Sequence, residues 1–585
     1  MRRLVVAATA SVAVAAGLIT APTAVAGTYA KTAVTIQTHV GPDEATTCEI
    51  EADLYVPDTA TSQSKQPAIL TTHGFGGSKA DQEPFARMLA QRDYVVLAYS
   101  GLGFGGSQCK IHLDDPDWDG KAASQLVDYL ASLDVVALDA QGDPKVGMFG
   151  GSYGGGVQFA AAKDDKRIDA LIPVITWNNL EYALGPNNAD FEAGVTPDTY
   201  GVFKRVWADL FAVFGVLRGL EYGLGDPRRL VGCPNFVDQV CPTIIQANVF
   251  GYLTPEGRAL LRHASVASFI DEIKTPTLLI QGQDDTLFNL QEAIATYRGL
   301  KENGTPVRMI WQSWGHSGAA PAEGEFDPSM TRDPETTYLG RRVLDWFAFW
   351  LRDDDSKQLG PQIAYFRDWI EYDGSKPEGA EPAYGTANQY PVGSTQQLYL
   401  SGNRTLTPNG NAIVAGKQTY ANLPAGVPSS YSELPPFDLD AAPFDLPGSA
   451  ATWTTAPLRE NVHTVGVPTL DVKLTSPVAS LTQLGGTGGQ LVVFAKIYDV
   501  APDGKVELVD RLVSPARIED VNEPVRIELP GVVHRYEAGN RIRVVLSASD
   551  SAYGGNLSVL PVSVKTAAGS VPVLTLPVSG DGRVG

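Results

Sequence analysis

The chain is predicted to fold as an α/β domain with an inserted helical segment, followed by an all-β sandwich, and three observations predict it. Short apolar runs alternate with amphipathic helical stretches from about residue 35 to 373. The alternation stops between 177 and roughly 268, where Phe, Tyr, Trp and Leu crowd a helix-compatible segment. Past a polar stretch rich in Pro and Gly at 374–382 no long helix is visible, and strand-like runs recur between turns such as Pro502-Asp503-Gly504.

Taken in order, Met1-Arg2-Arg3, the apolar run 4–19 and Thr23-Ala24-Val25-Ala26 have the layout of a secretory signal peptide over residues 1–26, so a secreted, extracellular protein is expected. No later stretch approaches eighteen uninterrupted apolar residues, so no membrane span is expected. The formal charge of -21, from 66 acids and 45 bases, argues against nucleic acid or an anionic membrane as partner. Four cysteines in an oxidising compartment invite two disulfides: Cys233 with Cys241 across a short loop, and by elimination Cys48 with Cys109.

Buried parallel strands are expected at 68–72, 94–99, 146–149, 170–175, 277–281 and 307–311, with helices such as 84–92 and 290–298 between them. The third strand breaks into Gly150-Gly151-Ser152-Tyr153-Gly154-Gly155 and resumes as the helix-compatible run 157–162. A strand turning sharply into a helix strains the residue at the bend, and only small neighbours tolerate the close approach. This is the pattern of a nucleophile elbow, in which the serine hydroxyl stands exposed beside a helix N-terminus. In that architecture, an α/β-hydrolase fold with a helical cap, the partners follow as Ser, Asp, His. The strand at 277–281 leads to Gly282-Gln283-Asp284-Asp285, and the strand at 307–311 leads to Gly315-His316-Ser317.

Ser152, Asp285 and His316 are therefore the expected catalytic residues, with Asp284 the alternative acid. The strand at 68–72 ends in His73-Gly74-Phe75, where the other half of an oxyanion hole is built. The backbone N–H groups of Phe75 and Tyr153 are the expected donors. The glycines 101–106 formally fit Gly-x-Gly-x-x-Gly, but no helix follows and no acid closes a next strand, so a dinucleotide site is not expected. An active-site loop is expected there instead, with Phe104 near the acyl pocket; Trp177 and Asn178 are further expected substrate contacts. Neither a His-Glu-x-x-His helix nor a spaced Cys/His set is present, so no metal or cofactor is implied.

Domain bounds follow as 27–375 for the catalytic domain, 376–395 for a linker and 396–585 for the sandwich, expected to be a jelly roll without catalytic groups. The elbow together with the stretches 494–504 and 536–543 resembles the X-Pro dipeptidyl-peptidase and cocaine-esterase type serine hydrolases, over nearly the whole mature chain. The resemblance implies a hydrolase of peptides or small esters. Two departures stand out: Phe75 occupies the place where the family often has an oxyanion-binding tyrosine, and Tyr99-Ser100-Gly101-Leu102 stands for the family's Asp-x-Arg-Gly. A dipeptidyl-peptidase of X-Pro type is ranked slightly ahead of a carboxylic-ester hydrolase, and a non-catalytic cell-surface binding protein is the distant alternative. The peptidase reading needs a buried carboxylate for the substrate's ammonium, for which Glu181, Asp190 and Glu192 are the candidates.

Overall fold

The computed structural model describes residues 27–190, 195, 199–317, 320–432 and 443–585. The expected signal peptide at 1–26 and Glu192 lie outside the described residues. Among them, no helix is long and apolar enough to cross a membrane.

Ten strands form one sheet: β1 (Tyr29–Val40), β2 (Thr46–Pro57), β3 (Ala68–Thr72), β4 (Val95–Tyr99), β5 (Val146–Gly151), β6 (Ile168–Val174), β7 (Thr277–Gly282), β8 (Val307–Gln312), β9 (Ile363–Phe366) and β10 (Tyr384–Ala387), in the order β1-β2-β4-β3-β5-β6-β7-β8-β9-β10. From β4 to β9 neighbouring strands run parallel. Strands buried on both faces need continuous apolar sequence, which is why β3 and β4 have no exposed residue. Helices α2 (Lys121–Ala131), α3 (Tyr153–Asp164) and α8 (Leu290–Glu302) pack on one face, and α1 (Glu83–Ala90) and α9 (Tyr338–Arg352) on the other.

Two differences from the sequence reading concern the sheet edges. The hairpin of β1 and β2 was not foreseen; its half-exposed alternation is that of an antiparallel edge. The expected linker 376–395 is not a free connector: β10 lies within it and pairs antiparallel with β9 as the last strand of the sheet. Its four residues, set among Pro and Gly, are too few to show a period of two.

The helical insertion comprises α4 (Leu180–Leu184), α5 (Arg205–Tyr222), α6 (Val240–Phe250) and α7 (Pro255–His263). Disulfides join Cys233 to Cys241 within it and Cys48 to Cys109 beneath it. The second domain consists of two antiparallel sheets whose inward residues, such as Leu398, Val472, Val493 and Val544, share one apolar core. The two domains are joined through the insertion. Ala189 bridges to Ile527, Asn188 N–H donates to the Pro515 carbonyl at 3.0 Å, and the buried Arg517 donates to the carbonyls of Gly201, Gly251 and Thr487.

Candidate active site

Ser152 sits between β5 and α3 with φ of 55°, a conformation that costs an L-residue energy and persists only where its surroundings enforce it. Crowding explains the flanking glycines: a Cβ at Gly150 would lie 2.4 Å from the Gly154 carbonyl oxygen, and one at Gly154 would lie 2.4 Å from that of Thr72. The bend puts the Ser152 hydroxyl 2.9 Å from His316 Nε2, and His316 Nδ1 lies 2.7 Å from Asp285 Oδ2.

Asp285 is fully buried, and its other oxygen accepts the N–H groups of Leu287 and Phe288 at 3.0 and 2.8 Å. Those bonds occupy Oδ1 and leave Oδ2 for the imidazole. Asp284 faces the crevice between the domains instead. The rings of Trp207 and Phe288 pack against the His316 ring at close to right angles. The insertion holds this corner: Lys204 Nζ donates to the carbonyls of Thr286 and Leu287, and Trp207 Nε1 to Thr286 Oγ1.

On the other side of Ser152 the turn after β3 is pinned by His73. Its Nδ1 donates to the Gly74 carbonyl at 2.7 Å, and its Nε2 accepts the Gly101 N–H at 3.1 Å. Burial pushes its pKa down to about 4, so the ring is neutral and its tautomer is set by these two partners. Phe75 follows on that turn, and Tyr153, as the first residue of α3, has no carbonyl one turn earlier for its N–H. The Tyr153 hydroxyl accepts the Asp114 N–H at 3.0 Å, beside the buried carboxyls of Asp114 and Asp119, which burial holds well above the usual carboxylate range.

A cavity of about 80 Å³ opens beside Ser152. Phe75, Tyr153, Trp177 and Phe288 wall it from the sheet domain, and Phe211, Val240, Ile244 and Leu261 from the insertion; among the described residues the lining carries no charged group. Trp177 is thus a wall residue, its Nε1 fixed on the Ala264 carbonyl. Phe104 and Asn178 are not. Phe104 is fully buried behind the rings of Phe75 and Tyr153, and Asn178 is held away from the cavity by Glu292 and Thr296. Glu181 is engaged by Arg258 and Arg262, and the Asp190 carboxylate accepts the Arg526 N–H at 3.0 Å. Sequence reasoning missed Lys204, Trp207 and Glu292, which position the site from a distance in the chain; no local motif marks them.

Residues 46–191 match the X-Pro dipeptidyl-peptidase (S15 family), and residues 350–556 match the X-Pro dipeptidyl-peptidase C-terminal non-catalytic domain. No curated protein matches. Among solved structures, an aminopeptidase from the marine sediment archaeon Thaumarchaeota archaeon superposes with a TM-score of 0.63 at 13% identity, covering 96% of this chain and 98% of that one. An α-amino acid ester hydrolase gives 0.61 at 15% identity over 94% and 96% of the two chains. A CocE/NonD family hydrolase from Staphylococcus aureus gives 0.60 at 15% identity over 93% of each. At these identities the superpositions speak for the fold. With both domain matches falling on the two halves just described and together spanning more than half of the sequence, the chain belongs to the X-Pro dipeptidyl-peptidase (S15) family of serine hydrolases.

Proposed function

We propose that the protein is an exported carboxylic-ester hydrolase that works through Ser152, His316 and Asp285 and accepts an uncharged, apolar acyl group. The observation that carries this reading is the cavity beside Ser152, whose walls are apolar throughout. His316 takes the Ser152 proton as Oγ attacks the ester carbonyl, and the imidazolium is stabilised by Asp285. The oxyanion is received by the N–H groups of Phe75 and Tyr153. His316 then returns the proton to the departing alcohol, leaving an acyl group on Ser152. Water, deprotonated by His316, releases the acid by the same path.

The family match favours a second reading, a dipeptidyl-peptidase of X-Pro type. Such an enzyme must bind an ammonium group beside the scissile bond, and a cation buried without a partner is strongly disfavoured. The carboxylates of Glu181 and Asp190 are already engaged by other groups, which supports the ester reading over the peptide one. Ala-Pro-nitroanilide and p-nitrophenyl butyrate, compared under one set of conditions, decide between them. The butyrate is expected to be turned over far faster; faster cleavage of the anilide would establish the peptidase. Export is supported by the layout of residues 1–26 and by two disulfides. Sequencing of protein recovered from culture medium should begin at Gly27.

A further inference from the structure

Helices α5 and α6 are apolar on both sides. Their inner faces line the cavity beside Ser152 through residues such as Phe211 and Val240. Their outer faces carry Val213, Phe214, Leu217 and Leu220 on α5 and Ile245 and Val249 on α6. The spacing of 213, 217 and 220 is that of a single helix face, and the two helices pack side by side, so these residues form one patch. Leu217, Leu220, Ile245 and Val249 are 53%, 61%, 64% and 60% exposed. A helix on a protein surface ordinarily turns charged residues outward, and a contiguous exposed apolar patch marks an interaction site.

The charge of the segment narrows the partner. Residues 205–250 contain four arginines (205, 218, 228, 229) and four acids (Asp209, Glu221, Asp226, Asp238), a balance of zero within a chain of net charge -21. A cationic partner would find more attraction elsewhere on the molecule, and an anionic bilayer would be repelled by the whole. An uncharged, apolar surface matches the patch. The patch lies on the opposite side of the same two helices that wall the substrate cavity.

We infer that the outer face of α5 and α6 docks onto the surface of a water-insoluble, uncharged ester phase, and so delivers the enzyme to acyl chains that its cavity accepts. This rests on the ester-hydrolase reading for the identity of the substrate. Docking replaces water over the exposed leucines and isoleucine by hydrocarbon, and the gain scales with the area covered.

The test uses the full chain and a variant carrying Leu217→Asp and Ile245→Asp, neither of which lines the cavity. Hydrolysis of tributyrin is followed through its solubility limit, beside that of dissolved p-nitrophenyl acetate. The natural sequence is expected to gain about tenfold in rate as droplets form, and the variant to lose that gain while keeping its rate on the dissolved ester. Equal gains for both chains would overturn the inference while leaving the ester reading intact. Independently of turnover, Ser152→Ala protein is spun with tributyrin droplets, with and without the two aspartates. The aspartates should lower the droplet-bound fraction about tenfold. If no ester is hydrolysed, the ester reading falls, and this partition still decides the docking: absence of binding overturns it. A sedimenting dimer that the aspartates dissociate, without droplet binding, would assign the patch to a second copy of the chain and overturn the inference.

Discussion

At the scale of single residues, the proposed chemistry depends on one hydroxyl held at a strained bend within reach of one imidazole. Ser152→Ala is expected to lower turnover by about 10^4-fold or more while leaving the fold intact, and a fluorophosphonate should label Ser152 alone. Activity within tenfold of the natural chain would remove Ser152 from the mechanism. His73 supplies a test by pH. Its pKa is about 4 in the folded chain and near 6.5 when unfolded, so the unfolded chain takes up the proton first. The stability linked to this residue is complete above pH 6.5 and is lost as pH falls toward 4, by about 3 kcal/mol. His112, stacked on Trp118 and pushed down to about 3 by burial, acts in the same direction. The His73→Asn variant should show a shallower fall of Tm between pH 6.5 and 4. Parallel Tm profiles for the two proteins would contradict the assignment. The serine, its glycines and the residues 285 and 316 could be read from the sequence because each stands directly after a buried strand. Phe104 and Asn178 could not be placed, since whether a side chain faces a cavity depends on packing contributed by distant segments.

At the scale of elements, the insertion shows what local pattern conceals. Helices α5 and α6, apolar on both sides, have no preferred face in the sequence, so their cavity walls are legible only as an aromatic-rich stretch. The central strands, by contrast, announce themselves as short apolar runs. The insertion is fastened to the sheet domain by Arg229, which is fully buried and donates to the carbonyls of Gly103, Gly105 and Ser107 and to Asn235 Oδ1. The glycines of that segment after β4 answer to crowding: a Cβ at Gly103 would lie 2.6 Å from the Ile111 nitrogen, and one at Gly105 would lie 2.3 Å from Glu51 Oε1. Arg229→Met leaves several buried acceptors unmet and should cost on the order of 3 kcal/mol, read as a lowered midpoint in urea. A change below about 0.5 kcal/mol, the range of ordinary surface substitutions, would refute the fastening role.

At the scale of the whole molecule, the second domain is bound to the first through the insertion rather than hung from a linker. Arg517 reaches the carbonyls of Gly201 and Gly251 across the boundary, and Gln291 of the sheet domain pairs with the backbone of Leu529 and Gly531. Calorimetry should therefore show a single unfolding transition, and Arg517→Ala should split it or move it downward. Two separate transitions in the natural chain would mean that the domains are energetically independent. The sandwich was legible from its alternating strands, whereas this union was not, because its partners are separated by some hundreds of residues and identified by no motif.

The same fastenings bear on how molecules reach the serine. An insertion anchored by Lys204 at the acid turn, by Arg229 at the glycine segment and by the bridge between Ile111 and Phe236 is poorly built to swing as a hinged door. Entry then passes through momentary rotations of wall side chains such as Phe211 and Leu261, and a sieve of that kind sorts by girth. Slender straight-chain acyl groups should thread it readily, while branched or ring-bearing ones wait at the threshold.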